Sequence, residues 1–150
     1  MWKKVGDIML MGEYHHSIDE KNRLIIPSKF RNDLGEKFVI TRGLEKCLFV
    51  YSLVEWENII NKLRSLPFTK KDSRDFTRFF LSGATECILD KSGRVCITSP
   101  FGDYAGVTKN CVIICANDRL EIWDKEKWDN FFIMNEENFA NISENLFEVV

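Results

Sequence analysis

An internal duplication limits the fold of this 150-residue chain more than any other feature of its sequence. The segment 12–30, GEYHHSIDEKNRLIIPSKF, aligns with the segment 83–101, GATECILDKSGRVCITSPF, at an offset of 71 residues. Further along, LFVYSLVEW at 48–56 matches LEIWDKEKW at 120–128, where the offset is 72 residues. A shared order of motifs at a nearly constant offset predicts two homologous units in one chain.

Each unit has the same predicted local structure at its start. Short β-prone runs at 14–18 and 23–26 flank the sequence Asp-Glu-Lys-Asn, and runs at 85–89 and 94–98 flank Asp-Lys-Ser-Gly. Asp opens a turn by accepting hydrogen bonds from nearby backbone N–H groups, and Asn or Gly at the fourth position tolerates a positive φ. We therefore predict a β-hairpin in each unit.

Two strands and a helix are expected after each hairpin. The predicted strands cover 37–41, 47–51, 110–116 and 119–123. Ser52 and Glu55 form a capping box ahead of an apolar stripe, which predicts a helix over 52–65. Further helices are expected at 72–81 and from Asp124 onward, with 136–146 either continuing as helix or fraying.

One such unit is too small to bury its own apolar faces, so two units are expected to complete one barrel. The predicted fold class is α+β, a pseudo-twofold β-barrel built from two homologous units with flanking helices. The predicted segments are an N-terminal extension (1–8), a first unit with its helix (9–66), a linker helix (67–82), a second unit with its helix (83–132) and an acidic C-terminal tail (133–150).

The charge is unevenly distributed along the chain. The formal net charge is −2, but residues 118–150 contain three basic and nine acidic residues, which leaves the preceding part with a net charge of +4. The overall charge does not indicate nucleic-acid binding, whereas a basic body with an acidic tail can present a basic face. Four cations of the linker helix are interpreted as a solvated or inter-subunit face: Lys70, Lys71, Arg74 and Arg78.

Several functional classes find no support in the sequence. No nucleophile elbow, P-loop or dinucleotide fingerprint is present, so an enzyme is not expected, and neither is a cofactor. The cysteine count of five is odd and no C-x-x-C pair occurs, which favours buried free thiols in a reducing compartment over a metal site. A Cys with His15 or His16 as a hydrolase pair remains a remote alternative. No apolar run reaches the ~20 residues of a membrane span, and no signal peptide is recognised, so a cytoplasmic location is expected.

The repeated motifs resemble a known family. Residues 9–31, MLMGEYHHSIDEKNRLIIPSKFR, are similar to the N-terminal signature of the MraZ family, and residues 83–94, GATECILDKSGR, are similar to its second signature. Leu120-Glu-Ile-Trp123 with Trp128 resembles the end of the second unit. The resemblance implies tandem SpoVT–AbrB-like domains of swapped-hairpin type, assembled into ring-shaped homo-oligomers. It also implies a nucleoid-associated transcriptional regulator of the division and cell-wall gene cluster, which recognises short direct repeats upstream.

The resemblance also implies which residues contact double-stranded DNA. The family's Asp-x-x-x-Arg loops correspond here to Asp19 with Arg23 and to Asp90 with Arg94. Lys21 and Lys91 are expected to contact phosphates, and Lys29 and Arg31 add positive charge near the first hairpin.

The chain departs from the family pattern at three positions. Asn22 replaces the usual Gly of the first turn, Thr98 replaces a Pro, and Gly102 stands where an Arg would match Arg31. These departures predict that the second unit contributes less positive charge to DNA. Two alternatives stay open: a ring-forming structural protein that acts through protein partners by its acidic tail, and an AbrB-like antitoxin.

Overall fold

The computed structural model describes residues 10–147, so the predicted extension 1–8 lies outside the described part. Within 10–147 it contains both strands and helices, which confirms the α+β class. The strands are β1 (Leu10–Ser17), β2 (Arg23–Ile25), β3 (Lys37–Arg42), β4 (Leu48–Ser52), β5 (Thr85–Ile88), β6 (Arg94–Cys96), β7 (Asn110–Asn117) and β8 (Arg119–Asp124). The helices are α1 (Ser28–Leu34), α2 (Leu53–Arg64), α3 (Lys71–Ser82), α4 (Ser99–Ala105), α5 (Lys125–Glu136) and α6 (Phe139–Leu146).

The order of the strands has the symmetry of the duplication. Six antiparallel strands form one sheet in the order β1-β7-β8-β4-β3-β5, and β2 pairs with β6 in a separate ribbon. Exchanging the two units maps this order onto itself, because β1, β3 and β4 correspond to β5, β7 and β8. Equivalent residues pair at both centres: Phe49 lies opposite Glu121 in the sheet, and Leu24 lies opposite Val95 in the ribbon. The two units are thus related by a pseudo-twofold.

The prediction that each turn closes a local hairpin is wrong, because the strands flanking each turn pair with the other unit. β1 pairs with β7, β5 pairs with β3, and β2 pairs with β6. The exchange brings apolar residues of both ribbon strands into one core, which a two-stranded local hairpin cannot provide. These residues are at most 3% exposed: Leu24, Ile26, Val95 and Ile97. The predicted closed barrel is not confirmed, since neither sheet closes on itself within residues 10–147.

Two short helices were not predicted from the sequence. α1 and α4 have seven residues each, too few to display a helical periodicity, and each is followed by a glycine with a positive φ, Gly35 (81°) and Gly106 (68°). Their buried residues, among them Phe30 and Phe101, join the core between the sheet and the ribbon. These helices therefore belong to the body that carries the two turns.

The longer helices begin as predicted. The Ser52 hydroxyl accepts a hydrogen bond from the backbone N–H of Glu55 (3.2 Å) at the start of α2, and Asp124 caps α5 through the N–H of Lys127 (3.2 Å). α5 continues to Glu136, and α6 follows within the segment expected to be an acidic tail. A second, aromatic core lies on the face of the sheet opposite the ribbon and contains Phe49, Tyr51, Phe80 and Trp123, with Trp56, Trp128 and Phe131 packed against it.

Candidate nucleic-acid interface

The first Asp-x-x-x-Arg turn is held by its aspartate. Asp19 Oδ1 accepts hydrogen bonds from the backbone N–H groups of Lys21 and Arg23, both at 2.9 Å. Asp19 Oδ2 accepts a further bond from Nε of Arg23, also at 2.9 Å. One carboxylate oxygen therefore fixes the backbone of the turn, and the other fixes the guanidinium that the turn presents.

The second turn repeats this geometry. Asp90 Oδ1 accepts from the N–H groups of Ser92 and Arg94, and its Oδ2 accepts from Nε of Arg94, each at 2.9 Å. Asn22 (φ 60°) and Gly93 (φ 78°) occupy the fourth position of their turns, so the positive φ predicted for both turns is confirmed.

The two turns lie side by side and share ion pairs. Arg23 Nη1 lies 3.9 Å from Oδ2 of Asp90, and Arg94 Nη1 lies 3.7 Å from Oδ2 of Asp19. The turns precede β2 and β6, whose antiparallel strands start at opposite ends of the ribbon, and they lie close together because the ribbon is only three residue pairs long. About a third of each side chain stays exposed, 30% for the arginines and 34% for the aspartates. We call residues 19–23 and 90–94 together the paired turns.

Hydrogen bonds stabilise the ionised form of both aspartates and lower their pKa values. The backbone N–H of Arg23 is the largest influence that lowers the pKa of Asp19, and the N–H of Arg94 does the same for Asp90; the arginine side chains lower both pKa values further. At neutral pH the four charged groups therefore balance one another. Net positive charge on this face must come from neighbouring lysines and arginines.

Arg31 lies against the second turn, although the sequence places it close to the first. Its Nε donates to the backbone oxygen of Ile26 at 2.9 Å. Its guanidinium covers Gly93 so closely that a Cβ atom at residue 93 would collide with Cζ of Arg31. The expectation that Arg31 adds charge near the first turn is therefore wrong, because strand exchange carries α1 to the turn of the other unit.

This placement also reverses the expected effect of Gly102. The N–H of Ile97 bonds the oxygen of Asn22 (2.7 Å), as the N–H of Ile26 bonds the oxygen of Gly93 (2.9 Å). The pseudo-twofold thus places α4, with Gly102, beside the first turn. The first turn lacks the additional arginine, and the second turn has it.

The three remaining site candidates are exposed lysines. Lys21 and Lys91 lie within the paired turns, which puts their charges on the same face as Arg23 and Arg94. Lys29 lies on α1, with its Nζ 5.7 Å from the centre of the Phe30 ring. All eight sequence-based candidates therefore fall in the paired turns or on α1.

Other kinds of site have little structural support. Within residues 10–147, no group of three or more His, Cys, Asp or Glu side chains is placed to hold a metal ion. Cys111 pairs in register with His16, but burial raises the pKa of its thiol to about 12, so a thiolate nucleophile is not available at neutral pH. Cys47 and Cys115 are also buried, whereas Cys96 is exposed, contrary to the expectation of buried thiols. No helix in the described part of the chain is long and apolar enough to cross a membrane.

The duplication is matched by a known family. The family model described as "MraZ protein, putative antitoxin-like" matches residues 9–79 and, a second time, residues 80–150. The chain belongs to the MraZ family. Each MraZ match contains one of the paired turns, and the boundary between the matches falls within α3.

Sequence reasoning missed one feature of this candidate interface, the contact of Arg31 with Gly93. The sequence does show a difference between the two units at two pairs of equivalent positions. One unit of the MraZ chain has Asn22 with Arg31, and the other has Gly93 with Gly102. Only the exchange of strands shows that Arg31 belongs with Gly93, and Gly102 with Asn22.

Proposed function

We propose that this protein is a sequence-specific DNA-binding transcriptional regulator and that the paired turns contact the DNA. The observation that carries this proposal is the shared ion-pair cluster, in which two partly exposed guanidiniums are held in fixed positions by Asp19 and Asp90. An arginine fixed in this way loses little side-chain entropy on binding. A guanidinium can bond a guanine edge or a phosphate through two parallel hydrogen bonds.

The charges around the paired turns suit a DNA backbone. The eight candidate residues carry six positive and two negative charges, on a chain whose net charge is −2. Lysines such as Lys21 and Lys91 supply phosphate contacts that position the protein, while Arg23 and Arg94 are the candidates for base contacts. The proposed role is not catalytic and requires no cofactor.

We further propose that the protein assembles with copies of itself into a ring. The C-terminal helices leave several large apolar residues exposed: Phe132, Ile133, Met134, Phe139, Leu146 and Phe147. Phe131, Phe132 and Phe139 line a groove, and Glu136 also belongs to its lining. A contiguous apolar surface of this kind is a common mark of a protein interface.

The occupant that we propose for this groove is the α2–α3 surface of a second copy. That surface has an apolar groove of its own, with Leu66 and Phe68 exposed, and its lining includes Arg64, Arg74 and Arg78. The basic side chains on the α2–α3 surface and the acidic side chains of the C-terminal helices complement each other between copies. Such head-to-tail contacts close into rings when the rotation permits.

The proposed target follows from family membership. We propose that the protein acts in the cytoplasm, associated with the nucleoid, on the division and cell-wall gene cluster through direct repeats upstream of it. The swapped-hairpin barrel of the family belongs to the same proposal, supported by the exchange of strands between the two units.

A structural ring that acts through protein partners is the second candidate, and the exposed acidic residues Glu136, Glu137 and Glu144 of the C-terminal segment are the observation that favours it. Fluorescence-anisotropy titrations discriminate between the two functions. The probes are the upstream DNA and a scrambled duplex of equal length, each at several salt concentrations. The proposal predicts preference for the upstream DNA and affinity that falls steeply with salt, because lysine and arginine contacts release counterions. Equal affinity for both duplexes would contradict sequence-specific recognition, and absence of binding to either would favour the structural ring.

A further inference from the structure

Arg31 joins the two units at the second turn. Its Nε is bonded to the oxygen of Ile26, and the N–H of Ile26 is bonded to the oxygen of Gly93. The guanidinium lies against the α-carbon of Gly93 and leaves no space for a side chain there. Gly93 is accordingly buried, although it lies in a turn whose neighbours Lys91 and Ser92 are exposed.

The first turn has the complementary arrangement. Asn22 occupies the position equivalent to Gly93 and is exposed, and Gly102 occupies the position equivalent to Arg31. A Cβ atom at Gly102 would meet only the oxygen of Val107, at 3.5 Å, so the site could accept a side chain. An asparagine side chain therefore occurs where no arginine approaches, and an arginine approaches where there is no side chain.

We infer that Arg31 and the second turn form a composite phosphate-binding subsite that the first turn lacks, so that the second turn binds the DNA backbone more strongly than the first. This inference rests on the proposed DNA-binding function and assigns the stronger backbone contact within it. Nε of Arg31 is committed to the protein backbone, which leaves the two Nη groups for a phosphate oxygen. Arg94, the next residue after Gly93, holds its guanidinium on Asp90 in the same turn.

The balance of charge supports the inequality. Around the second turn, Lys91, Arg94 and Arg31 outweigh Asp90. The first turn has Lys21 and Arg23 against Asp19 and Glu20, which leaves no excess positive charge. A DNA phosphate therefore meets net positive charge at the second turn and close to none at the first.

A pair of alanine substitutions tests the subsite without changing any charge. Gly93→Ala and Asn22→Ala place the same residue at the same left-handed position of the two turns, but only Gly93→Ala displaces Arg31. We expect Gly93→Ala to weaken binding to a duplex of the upstream DNA by about tenfold and to lower the salt slope by about 0.9, the value for one lost phosphate contact. Asn22→Ala should leave the salt slope unchanged. Equal slopes for the two variants, with wild-type binding intact, would overturn the inference.

A graft provides the converse test. Asn22→Gly combined with Gly102→Arg gives the first turn the arrangement of the second, and we expect the salt slope to rise by about 0.9. Gly102→Arg with Asn22 retained is the matched control, because it adds the same charge but leaves the asparagine in the way, and we expect a smaller rise. The same slope for graft and control would show that charge alone matters and would contradict the subsite. If the wild-type chain does not bind the duplex at all, the proposed function itself fails, an outcome distinct from these.

Discussion

Each aspartate of the paired turns uses its two carboxylate oxygens differently. One oxygen accepts hydrogen bonds from two backbone N–H groups of its own turn. The other oxygen interacts with the arginines of both turns, and the arginine of its own turn is the closer of the two. A change at any of the four residues therefore affects both turns. The sequence could identify Asp19, Arg23, Asp90 and Arg94 as candidates because the repeat marks them twice, but it could not show that they form one cluster.

Removing Arg94 should weaken DNA binding more than removing Arg23. We expect Arg94→Ala to cost about 1–3 kcal/mol in binding free energy, the value of a bidentate contact, and to leave Arg31 without its neighbouring cation. Arg23→Ala should cost less, since its turn lacks a second guanidinium. Anisotropy titrations of both variants, with thermal melts to verify folding, measure this order, and a larger loss for Arg23→Ala would reverse the assignment.

The paired turns should make the folded chain less stable as the pH falls into the acidic range. The pKa values of Asp19 and Asp90 are lowered from 3.8 in the folded chain. A lowered folded-state pKa contributes stability that is fully present above the unfolded value and is lost as pH falls through the folded value. Melting temperatures measured from about pH 7 to about pH 2 should fall less between pH 4 and pH 2 in an Asp19→Asn/Asp90→Asn variant than in the wild type. Parallel pH profiles would show that these carboxylates do not stabilise the fold.

At the scale of elements, the repeat and the local sequence signals predicted where strands and helices lie better than they predicted which strands pair. The strands of the sheet and the start of α2 at Ser52 could be predicted, because periodicity and capping are properties of neighbouring residues. The pairing of β2 with β6 could not be predicted in this way, because it depends on the burial of Leu24 and Val95 in a core shared by both units. α1 and α4 are too short to give a periodic signal.

The helices also carry the charges that should direct assembly. Arg74→Glu/Arg78→Glu reverses the charge of α3, and Glu136→Lys/Glu137→Lys reverses that of the end of α5. We expect each variant alone to assemble less than the wild type, because like charges then face each other between copies. An equimolar mixture should recover assembly, since acidic α3 surfaces of one variant meet basic surfaces of the other.

Size-exclusion chromatography with light scattering measures this complementation. Each exposed pair contributes only about 0.2–1 kcal/mol, but the contact is repeated at every interface of a ring. If each variant alone assembles to the same extent as the wild type, head-to-tail docking through these helices is excluded.

At the scale of the whole molecule, one chain offers few cations for a DNA site. Its net charge is −2, and the paired turns form a single small face. A closed assembly of copies would place such faces at regular intervals. Once one copy is bound, the next meets its own site at a high effective concentration, which can raise affinity by ~10²–10⁴.

Binding should therefore require several direct repeats on one side of the duplex. We expect tight binding to tandem repeats spaced near a ~10–10.5 bp turn, weak binding to one repeat, and a sharp loss when about half a turn is inserted between repeats. Gel shifts on the three duplexes at one salt concentration compare these affinities. The same affinity for all three would indicate that each copy binds independently.

The exchange of strands also sets the order in which the chain can fold during its synthesis. β1 is made first, but its partner is β7: Leu10 pairs with Asn117, and Ser17 pairs with Asn110. At about 5–20 residues per second, a ribosome needs on the order of 5–20 seconds to add the intervening residues. The edge of β1 stays unpaired for that time and is open to other nascent chains. Strands β3, β4 and β5 can pair earlier, but the sheet cannot be completed until β7 has left the ribosome.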